Sequence, residues 1–572
     1  MVPPRRVRVL PDVAVIDKTF DYAVPDAWND GRSARLAVGS MVRVDLHGRR
    51  VAAWVTELDP EPVAGVVLKD LSKLSGAGPS AEQVDLAAWI AWRWGGRRAP
   101  VLRAMSPHRM VAAPRRSLPG ASRPPTDAAG ETGVRVVEIP PAGDRWPLIT
   151  DLVSGGRPLI VVPSVADAGR LARRLRRGGA HVALLPDEWA AAAGGAVVVG
   201  SRAAAVGPVS GITSILVLDE HDETLREERV PTWHARDVAV ERARRLGIPC
   251  VLTSPVPSLE ARVLGEVVRP GAAERREGWP VVDTIDPRDD DAGPGTLFTE
   301  ALVRRLREHD RCLCVLNRTG RAVMLACSRC EEMATCERCD AGVVENDAGD
   351  LQCRRCGTQR PVICTNCGAT KIRRLRLGVS RVREDLQTLL REPVGEVTAS
   401  SEGIGDERVL VGTEAVLHRL DGVDLVAFLD FDQELLATRY RAAEEALGLI
   451  ARAARLVGGR GGGGRVFVQS RRGDDPVLEA ARRGDPSVAA DADMERRREL
   501  GFPPFSADAE VSGEAAAEFV ARLGSPLGVA VMGPLEDRWL LRGTDHAVLA
   551  DAIAAVERPG GRLRIAVDPP RV

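Results

Sequence analysis

Four CxxC pairs crowded into one short stretch constrain this chain more than any other feature of its sequence. Eight of the eleven cysteines form these pairs, which are Cys327/Cys330, Cys336/Cys339, Cys353/Cys356 and Cys364/Cys367. Two thiolates on one tight turn can reach the same tetrahedral Zn²⁺, so each pair supplies half of a Cys₄ site. A closed Cys₄ shell leaves no position for a reactive water, which indicates structural zinc. The spacing therefore predicts two structural zinc ions.

The four pairs can combine as adjacent, alternating or nested sites, and the spacing leaves all three open. Disulfides are the poorer alternative because the chain carries no sign of export. The remaining cysteines, Cys250, Cys312 and Cys314, lie in apolar runs typical of buried strands, so we expect them to pack in cores.

Composition and charge exclude several classes of protein. The chain has 572 residues, of which 44% are hydrophobic and 28% charged, the balance of a globular protein with about three to five domains. No run reaches the roughly 18 apolar residues that a membrane span needs, so we expect a cytoplasmic protein without membrane contact. The net charge of −1 provides no overall basic field that would by itself indicate nucleic acid.

The order of strand-like and helix-like segments predicts a multidomain α/β chain. Buried strands alternate with amphipathic helices in two regions, which is the pattern of parallel sheets. We predict a β domain at 1–72, a helical segment at 73–113, a linker at 114–133, a first α/β lobe at 134–270, a second lobe at 271–320 and 373–484, a zinc insertion at 321–372 within that lobe, and a small α+β domain at 485–572.

Several short motifs, in this order, resemble the PriA family of replication-restart helicases, also called primosomal protein N′. They span nearly the whole chain and read KTFDY, VGSMVRV, VVVGSRAA, VLDEHD, WHARDVAVERA, SPVPSLE, LNRTGRA, VGTEAV, LDFD, RAAEEA and ERRRELGFPPFS. The resemblance implies two RecA-like helicase lobes, an N-terminal β domain that binds DNA 3′ ends and a winged-helix-like segment at 73–113. It also implies nested zinc sites, Cys327/Cys330/Cys364/Cys367 and Cys336/Cys339/Cys353/Cys356.

The resemblance also assigns a pocket for a DNA 3′ end to Phe20, Asp21, Tyr22, Gly39 and Lys69. Phe20 and Tyr22 can frame a terminal base, and Asp21 can accept a hydrogen bond from a free 3′-hydroxyl. Gly39 permits close approach of the backbone, and Lys69 can meet a phosphate. The pattern alone favours a different interpretation, in which Phe20 and Tyr22 alternate along a strand and Phe20 belongs to the core; the resemblance favours the pocket.

Two basic segments are open to more than one interpretation. The helical segment carries a mixture of tryptophan and arginine that can grip a DNA duplex or cover the edge of a helical core: Trp89, Trp92, Arg93, Trp94, Arg97 and Arg98. A basic run after the last CxxC pair suits phosphates or an acidic partner, although a solvated face is the default for such a run: Lys371, Arg373, Arg374 and Arg376.

The nucleotide-binding motif of the helicase family is missing. A P-loop, GxxxxGK[ST], uses a lysine for the β/γ-phosphates and a hydroxyl for Mg²⁺. This chain contains no such motif and no lysine between Lys73 and Lys371. Arg145 and Trp146 stand where the family carries its loop, and the larger arginine fork does not replace a lysine. We therefore expect no hydrolysis of ATP.

Two other motor motifs are eroded. Asp219 and Glu220 keep the acidic pair that follows a Walker B strand, and we interpret this degenerate nucleotide site as a capped strand end with surface carboxylates. In the arginine motif, Leu456 and Gly459 take the arginine slots. Arg455 and Arg460 lie beside these slots, but a shift by one position on a helix turns a side chain by about 100°. We expect these neighbours not to restore an arginine finger.

The leading hypothesis is a replication-restart protein without helicase activity. It would recognise stalled or abandoned forks and promote primosome assembly and reloading of the replicative helicase. Its partners would be branched DNA, primosome and helicase-loading proteins and single-strand-binding protein, with a nucleoid-associated location. One alternative is an ATP-dependent 3′→5′ DNA helicase with a non-standard nucleotide site; another is a zinc-ribbon nucleic-acid-binding module in transcription or repair. Chelation of zinc is expected to disorder 321–372.

Overall fold

The computed structural model describes residues 5–61, 67–112, 133–289, 297–316, 324–330, 332–339, 341–346, 348–375, 379–397, 401 and 403–569. The predicted linker lies almost wholly outside these residues, and so does most of the LNRTGRA motif. Among the described residues, no helix has the length and apolar character that crossing a membrane requires.

The first domain is a five-stranded antiparallel sheet in the order β2-β1-β4-β3-β5. The strands are β1 (Arg6–Pro11), β2 (Phe20–Ala23), β3 (Met41–Leu46), β4 (Arg49–Leu58) and β5 (Lys73–Gly76). Alternation along β1 and β3 puts valines on one buried face, where they form the domain's core: Val7, Val9, Val42 and Val44. The last strand begins just past the predicted boundary at 72.

Two helices follow, α1 (Ala81–Arg93) and α2 (Arg98–Met105). A capping box starts α1, because the Ser80 hydroxyl accepts from the Gln83 backbone N–H and the Gln83 side chain accepts from the Ser80 N–H. Residues 77–112, as described, hold these two helices and no strand. The expected winged-helix-like segment at 73–113 therefore contributes β5 to the first sheet and two helices, with no further strand among its described residues.

The first α/β lobe is a seven-stranded parallel sheet in the order β12-β6-β11-β10-β7-β9-β8. Its elements are β6 (Val134–Glu138), α3 (Trp146–Gly155), β7 (Pro158–Val161), α4 (Val165–Arg177), β8 (Val182–Leu184), α5 (Trp189–Ala193), β9 (Val197–Gly200), β10 (Ser214–Val217), α6 (Ala235–Leu246), β11 (Cys250–Ser254), α7 (Leu259–Leu264) and β12 (Val267–Val268). The central strands are buried on both faces, as their apolar runs predict.

The second lobe begins after a connecting helix and is then interrupted by the zinc insertion. These elements are α8 (Ala272–Gly278), β13 (Val281–Ile285), α9 (Glu300–Glu308) and β14 (Cys312–Val315), followed in the insertion by β15 (Met324–Cys327), β16 (Val343–Glu345), β17 (Leu351–Cys353), β18 (Gln359–Arg360) and β19 (Ile372–Leu375). The insertion folds as a two-stranded pair, β15-β19, and a three-stranded sheet, β16-β17-β18.

The second lobe then resumes and completes a six-stranded parallel sheet in the order β13-β23-β22-β14-β21-β20. Its remaining elements are α10 (Val379–Leu390), β20 (Val394–Val397), β21 (Val409–Gly412), β22 (Leu425–Phe428), α11 (Asp432–Leu435), α12 (Ala442–Val457), β23 (Arg465–Gln469) and α13 (Pro476–Arg483). The two parallel sheets confirm the predicted pair of α/β lobes. Cys250, Cys312 and Cys314 are fully buried in these sheets, as predicted.

The C-terminal part packs a mixed domain against the first lobe and α1. It consists of α14 (Ser487–Leu500), β24 (Ala507–Ser512), α15 (Ala516–Leu523), β25 (Val529–Leu535), β26 (Arg538–Gly543), α16 (His546–Ala554) and β27 (Arg564–Val567). The sheet has the order β25-β26-β24-β27, and its buried face shares one apolar core with α1, α2 and the first lobe.

Candidate zinc centres, nucleotide cleft and DNA-binding domain

The eight paired cysteines form two separate clusters. The sulfur atoms of Cys327, Cys330, Cys364 and Cys367 lie within 4.8 Å of one another, and so do those of Cys336, Cys339, Cys353 and Cys356. In each cluster, each cysteine has one sulfur of the other pair at 3.4 to 3.6 Å. A zinc tetrahedron with Zn–S bonds near 2.3 Å has edges of about 3.8 Å, so both clusters fit a Zn²⁺ ion. The pairing is nested.

Strand register explains why the pairing is nested. The antiparallel pair β15-β19 sets Cys327 opposite Ile372, which brings the first CxxC turn against the last one. The hairpin β16-β17 sets Val343 opposite Cys353, which brings the second turn against the third. Hydrogen bonding from the backbone N–H of Cys330 lowers the pKa of Cys327 to about 6, and the thiolate is the form that binds zinc.

Arg355, inside the third CxxC turn, joins the zinc insertion to the second lobe. Its guanidinium donates to the carbonyls of Ala437 and Arg439 at 2.6 and 2.8 Å and to that of Cys339 at 3.2 Å. Burial lowers the pKa of Arg355. No sequence pattern predicts this contact, because an arginine within a CxxC turn is ordinarily solvated.

A cleft of about 770 Å³ lies between the two lobes, at the carboxyl ends of the parallel strands. Its floor is the loop that joins β6 to α3, the position at which a P-loop stands in a nucleotide-binding lobe. The carboxylate of Asp144 accepts from the backbone N–H of Trp146 at 2.9 Å. A side chain of the protein itself thus occupies this donor at the start of α3.

Asp219 lies in this cleft, just after β10, and two arginines hold its carboxylate. Arg145 donates at 2.8 Å, and Arg455 donates through two nitrogens at 2.6 and 2.9 Å. Burial by itself would raise the pKa of Asp219, but the charges of Arg455 and Arg145 outweigh it and lower the pKa well below its ordinary range. The prediction of surface carboxylates is wrong here, because the side chain is 6% exposed.

Glu220 is also buried, and its carboxylate accepts hydrogen bonds from Ser258 and Arg236. Its carboxylate accepts from the Ser258 backbone N–H at 2.8 Å, from the Ser258 hydroxyl at 2.7 Å and from Arg236 at 3.3 Å. Burial raises the pKa of Glu220. Its oxygens are therefore committed to the start of α7, where Ser258 caps the helix.

The prediction that Arg455 would point away from the cleft is also wrong. With the arginine slots at Leu456 and Gly459, the sequence predicts that the Arg455 side chain points about 100° away from an arginine finger. The structure turns α12 so that Arg452 and Arg455 face the first lobe, where they pair with Asp222 and Asp219. The positions of these residues in the sequence do not predict which face of α12 contacts the first lobe.

The five residues predicted for a 3′-end pocket do not share one surface. The Tyr22 ring is buried in the core, and its hydroxyl donates to the Asp45 carbonyl at 2.8 Å, while Phe20 is only partly buried. The core position proposed for Phe20 thus belongs more fully to Tyr22. Lys69 is exposed and pairs with the Asp45 carboxylate at 2.9 Å.

Asp21 points to the other face of β2, because neighbouring residues of a strand alternate. Arg8 donates to both of its oxygens at 2.8 and 3.2 Å, and Arg8 also pairs with Glu57 at 2.7 Å. Gly39 has a φ of +86°, and a Cβ there would lie 1.5 Å from the Pro79 carbonyl oxygen. Its close approach is therefore to this chain's own backbone.

The arginines and tryptophans of the helical segment contact the protein itself. Trp94 is fully buried, and the Trp92 indole donates to Asp551 at 2.8 Å. Arg98 donates to Asp17, and Arg97 donates to a backbone carbonyl in the first domain. Of the two open interpretations, these contacts favour coverage of a core edge. In the basic run after the last CxxC pair, Lys371 is exposed, and the side chains of Arg374 and Arg376 lie outside the described residues.

Comparison with known proteins identifies relatives for most of the chain. Residues 8–107 match the family described as a 3′ DNA-binding domain. The chain is 29% identical over 588 residues to a Mycobacterium tuberculosis protein named "Probable replication restart protein PriA", an alignment that covers 91% of this chain and 89% of that protein. The replication restart protein PriA of Bacillus subtilis is 27% identical over 62% of this chain, and that of Haemophilus influenzae 26% identical over 64%. These two alignments span about half of each relative, 49% and 55%.

Among solved structures, a DEAD box protein from Methanococcus jannaschii aligns with 66% of this chain and 88% of its own length. The sequence identity is 10% and the TM-score 0.27.

Proposed function

Since this chain belongs to the PriA family, we propose that it acts in replication restart as a fork-binding protein that does not hydrolyse nucleotide. It binds branched DNA through its N-terminal domain and zinc insertion, and promotes primosome assembly and reloading of the replicative helicase. The observation that carries the proposal is the match of residues 8–107 to a 3′ DNA-binding domain, on a sheet whose Asp21 carboxylate is 16% exposed and pairs with Arg8.

The state of the interlobe cleft supports the absence of hydrolysis. Asp219, the carboxylate that would approach Mg²⁺, is bonded to Arg145 and Arg455, and Asp144 occupies a backbone donor at the start of α3. A P-loop motor needs free backbone donors, a lysine and an available carboxylate at these positions. The lobes serve here as a folded scaffold that connects the DNA-binding domain to the zinc insertion.

Fluorescence anisotropy on a synthetic fork tests the proposal. The leading strand ends at the junction with either a 3′-hydroxyl or a 3′-phosphate, at one fixed salt concentration and without nucleotide. We expect tighter binding to the hydroxyl, and loss of this preference in Asp21→Ala. Asp59→Ala is the matched control, since Asp59 is an exposed partner of Arg5 in the same domain. Equal binding to both ends and to plain duplex would instead favour the zinc-ribbon nucleic-acid-binding module.

An ATP-dependent 3′→5′ helicase with a non-standard site is the second candidate, and one observation favours it. Arg455 crosses from the second lobe into the cleft, which is the geometry of an arginine finger. DNA-stimulated release of phosphate that is abolished in Arg455→Gln would establish this alternative. It would overturn the proposal that the lobes are a scaffold that does not hydrolyse nucleotide. We expect release at background level.

A further inference from the structure

One face of α12 is built to contact the first lobe. Glu444, Gly448, Arg452 and Arg455 follow at spacings of four, four and three, so they lie along one side of the helix. Glu444 accepts from the backbone N–H of Leu259 at 3.4 Å. A Cβ on Gly448 would lie 3.3 Å from the His221 ring, so the helix packs closely there.

The two arginines of this face end on carboxylates of the first lobe. Arg455 holds both oxygens of Asp219, and Arg452 pairs with Asp222. A two-pronged arginine–carboxylate pair is among the stronger ionic contacts in proteins. The Asp219 and Asp222 side chains are 6% and 3% exposed and their arginine partners 30% and 20%, so water and salt screen these pairs less than fully exposed pairs.

Ion pairs continue along the same interface beyond the cleft. Arg441, at the start of α12, is buried and pairs with Glu260 of the first lobe. Its guanidinium also lies 3.6 Å from Glu223. Arg497 of α14 donates to Glu444 at 3.1 Å and also lies 3.9 Å from Glu260 of the first lobe. The closed arrangement is thus held by the chain's own charges at several points.

In nucleotide-driven motors, an arginine stabilises charge on the phosphate as it is transferred. Here the crossing arginine ends on Asp219, and Arg145 fills the neighbouring space. We propose that Asp219 is an internal anion that holds the two lobes closed without nucleotide. The lock goes beyond the proposed function: it rests on the same Asp219 pairs, but it acts in the absence of DNA and is tested without it.

Hydrogen exchange measured by mass spectrometry on the full, zinc-loaded chain without DNA tests the lock. We expect slow exchange at 442–457 and at 140–146 in the wild type, unchanged by added Mg²⁺-ATP. Asp219→Asn leaves Arg145 and Arg455 facing each other without the anion, and we expect exchange in both segments to rise by about tenfold. Asp421→Asn is the matched control: Asp421 also pairs across the lobes, with Arg170, but is 91% exposed, and exchange should not change.

Two results would overturn the lock. One is wild-type exchange that changes with Mg²⁺-ATP, which would mean that nucleotide sets the lobe arrangement. The other is Asp219→Asn exchange equal to that of the wild type. If the Asp219→Asn variant loses zinc or no longer unfolds cooperatively, its exchange does not report on the lock. The Arg455→Gln variant then provides the test, because it leaves the Asp219–Arg145 pair in place. Faster exchange confined to the two segments in Arg455→Gln supports the lock, and unchanged exchange refutes it.

Discussion

Arg93 and Asp568 lie 3.3 Å apart, guanidinium nitrogen to carboxylate oxygen, although 475 positions separate them in the chain. The Arg93 guanidinium also stacks over Trp94, 4.7 Å from the ring centroid, and His546 contacts the same carboxylate at 3.0 Å. Arg93, for which DNA contact is one interpretation of the sequence, therefore helps to hold the C-terminal domain against α1. Burial opposes ionisation of Asp568, but His546 and Arg93 lower its pKa well below the ordinary range.

Asp568→Asn is expected to destabilise the C-terminal domain by about 2 to 4 kcal/mol at neutral pH, because it leaves Arg93 without its buried partner. A carboxylate with a lowered pKa contributes stability above its ordinary pKa of 3.8, and the contribution is lost as the pH falls below that value. Urea unfolding at neutral pH measures the effect. Asp491→Asn, at a 67% exposed position, is the control and should change stability by less than about 0.5 kcal/mol. Equal midpoints for the two variants would contradict the anchoring role.

Chelation is expected to remove the two zinc ions in a fixed order. In the cluster that contains Cys330 and Cys367, these two side chains are partly exposed; in the other cluster, only Cys356 is. The first cluster should therefore lose its metal first. A chromogenic chelator followed by elemental analysis measures the two rates, and Cys330→Ser and Cys339→Ser assign them, each variant binding one zinc instead of two. Complete removal should disorder 321–372, which circular dichroism and thermal unfolding report. Unchanged unfolding after verified loss of both ions would refute a structural role.

Gly39→Ala is expected to disrupt the joint between the first sheet and α1. Its Cβ would meet the Pro79 carbonyl oxygen at 1.5 Å, so the backbone must move, at a cost of about 3 kcal/mol or more. Gly48→Ala is a matched control, since Gly48 also has a positive φ, +77°, but no atom lies within 4 Å of its added Cβ. That variant should lose about 1 to 2 kcal/mol. Thermal unfolding compares them, and equal losses would show that only backbone conformation matters at Gly39.

Glu138→Gln is expected to stabilise the protein increasingly as the pH rises. Glu138 ends β6 in a buried position, and its Oε1 finds no hydrogen-bond partner among the described residues. Burial raises its pKa to about 7, from an ordinary 4.5. Stability from the protonated form is fully present below 4.5 and lost as the pH rises through 7. Glutamine keeps the shape without titrating.

The stability gained in Glu138→Gln should grow by about 1 kcal/mol between about pH 6 and about pH 8. Urea unfolding at both pH values measures it. Glu308→Gln, in which the exposed partner of Arg305 is replaced, provides the control and should show no such trend. A constant difference between Glu138→Gln and the wild type would mean that Glu138 is ionised throughout this range.

Local patterns were sufficient for much of the architecture. Apolar runs such as 158–161 and 214–217 predicted buried parallel strands, because such a strand must be apolar on both faces. The same held for 312–315, where Cys312 and Cys314 pack in the core. The CxxC spacing also identified all eight cysteines of the two Cys₄ clusters, since each half-site is a single turn.

The candidate sites were harder to predict where they depend on distant segments. Phe20 and Tyr22 lie on the same face of β2, and their alternation does not predict which of the two rings is buried more deeply. Gly39 is a predicted contact for DNA, but glycine is required there because of Pro79, which follows the sheet's fifth strand along the chain. Each outcome depends on packing between segments that the local pattern does not join.

By itself, the sequence determined that this chain has two α/β lobes, two Cys₄ clusters and no P-loop lysine, because each of these is a property of a residue and its near neighbours. Only the tertiary structure decided which CxxC turns share a site and that Arg455 ends on Asp219. The physical reason is that strand register and the rotation of α12 against the first lobe depend on packing summed over the whole interface. A shift of one residue in either would send the same side chains elsewhere.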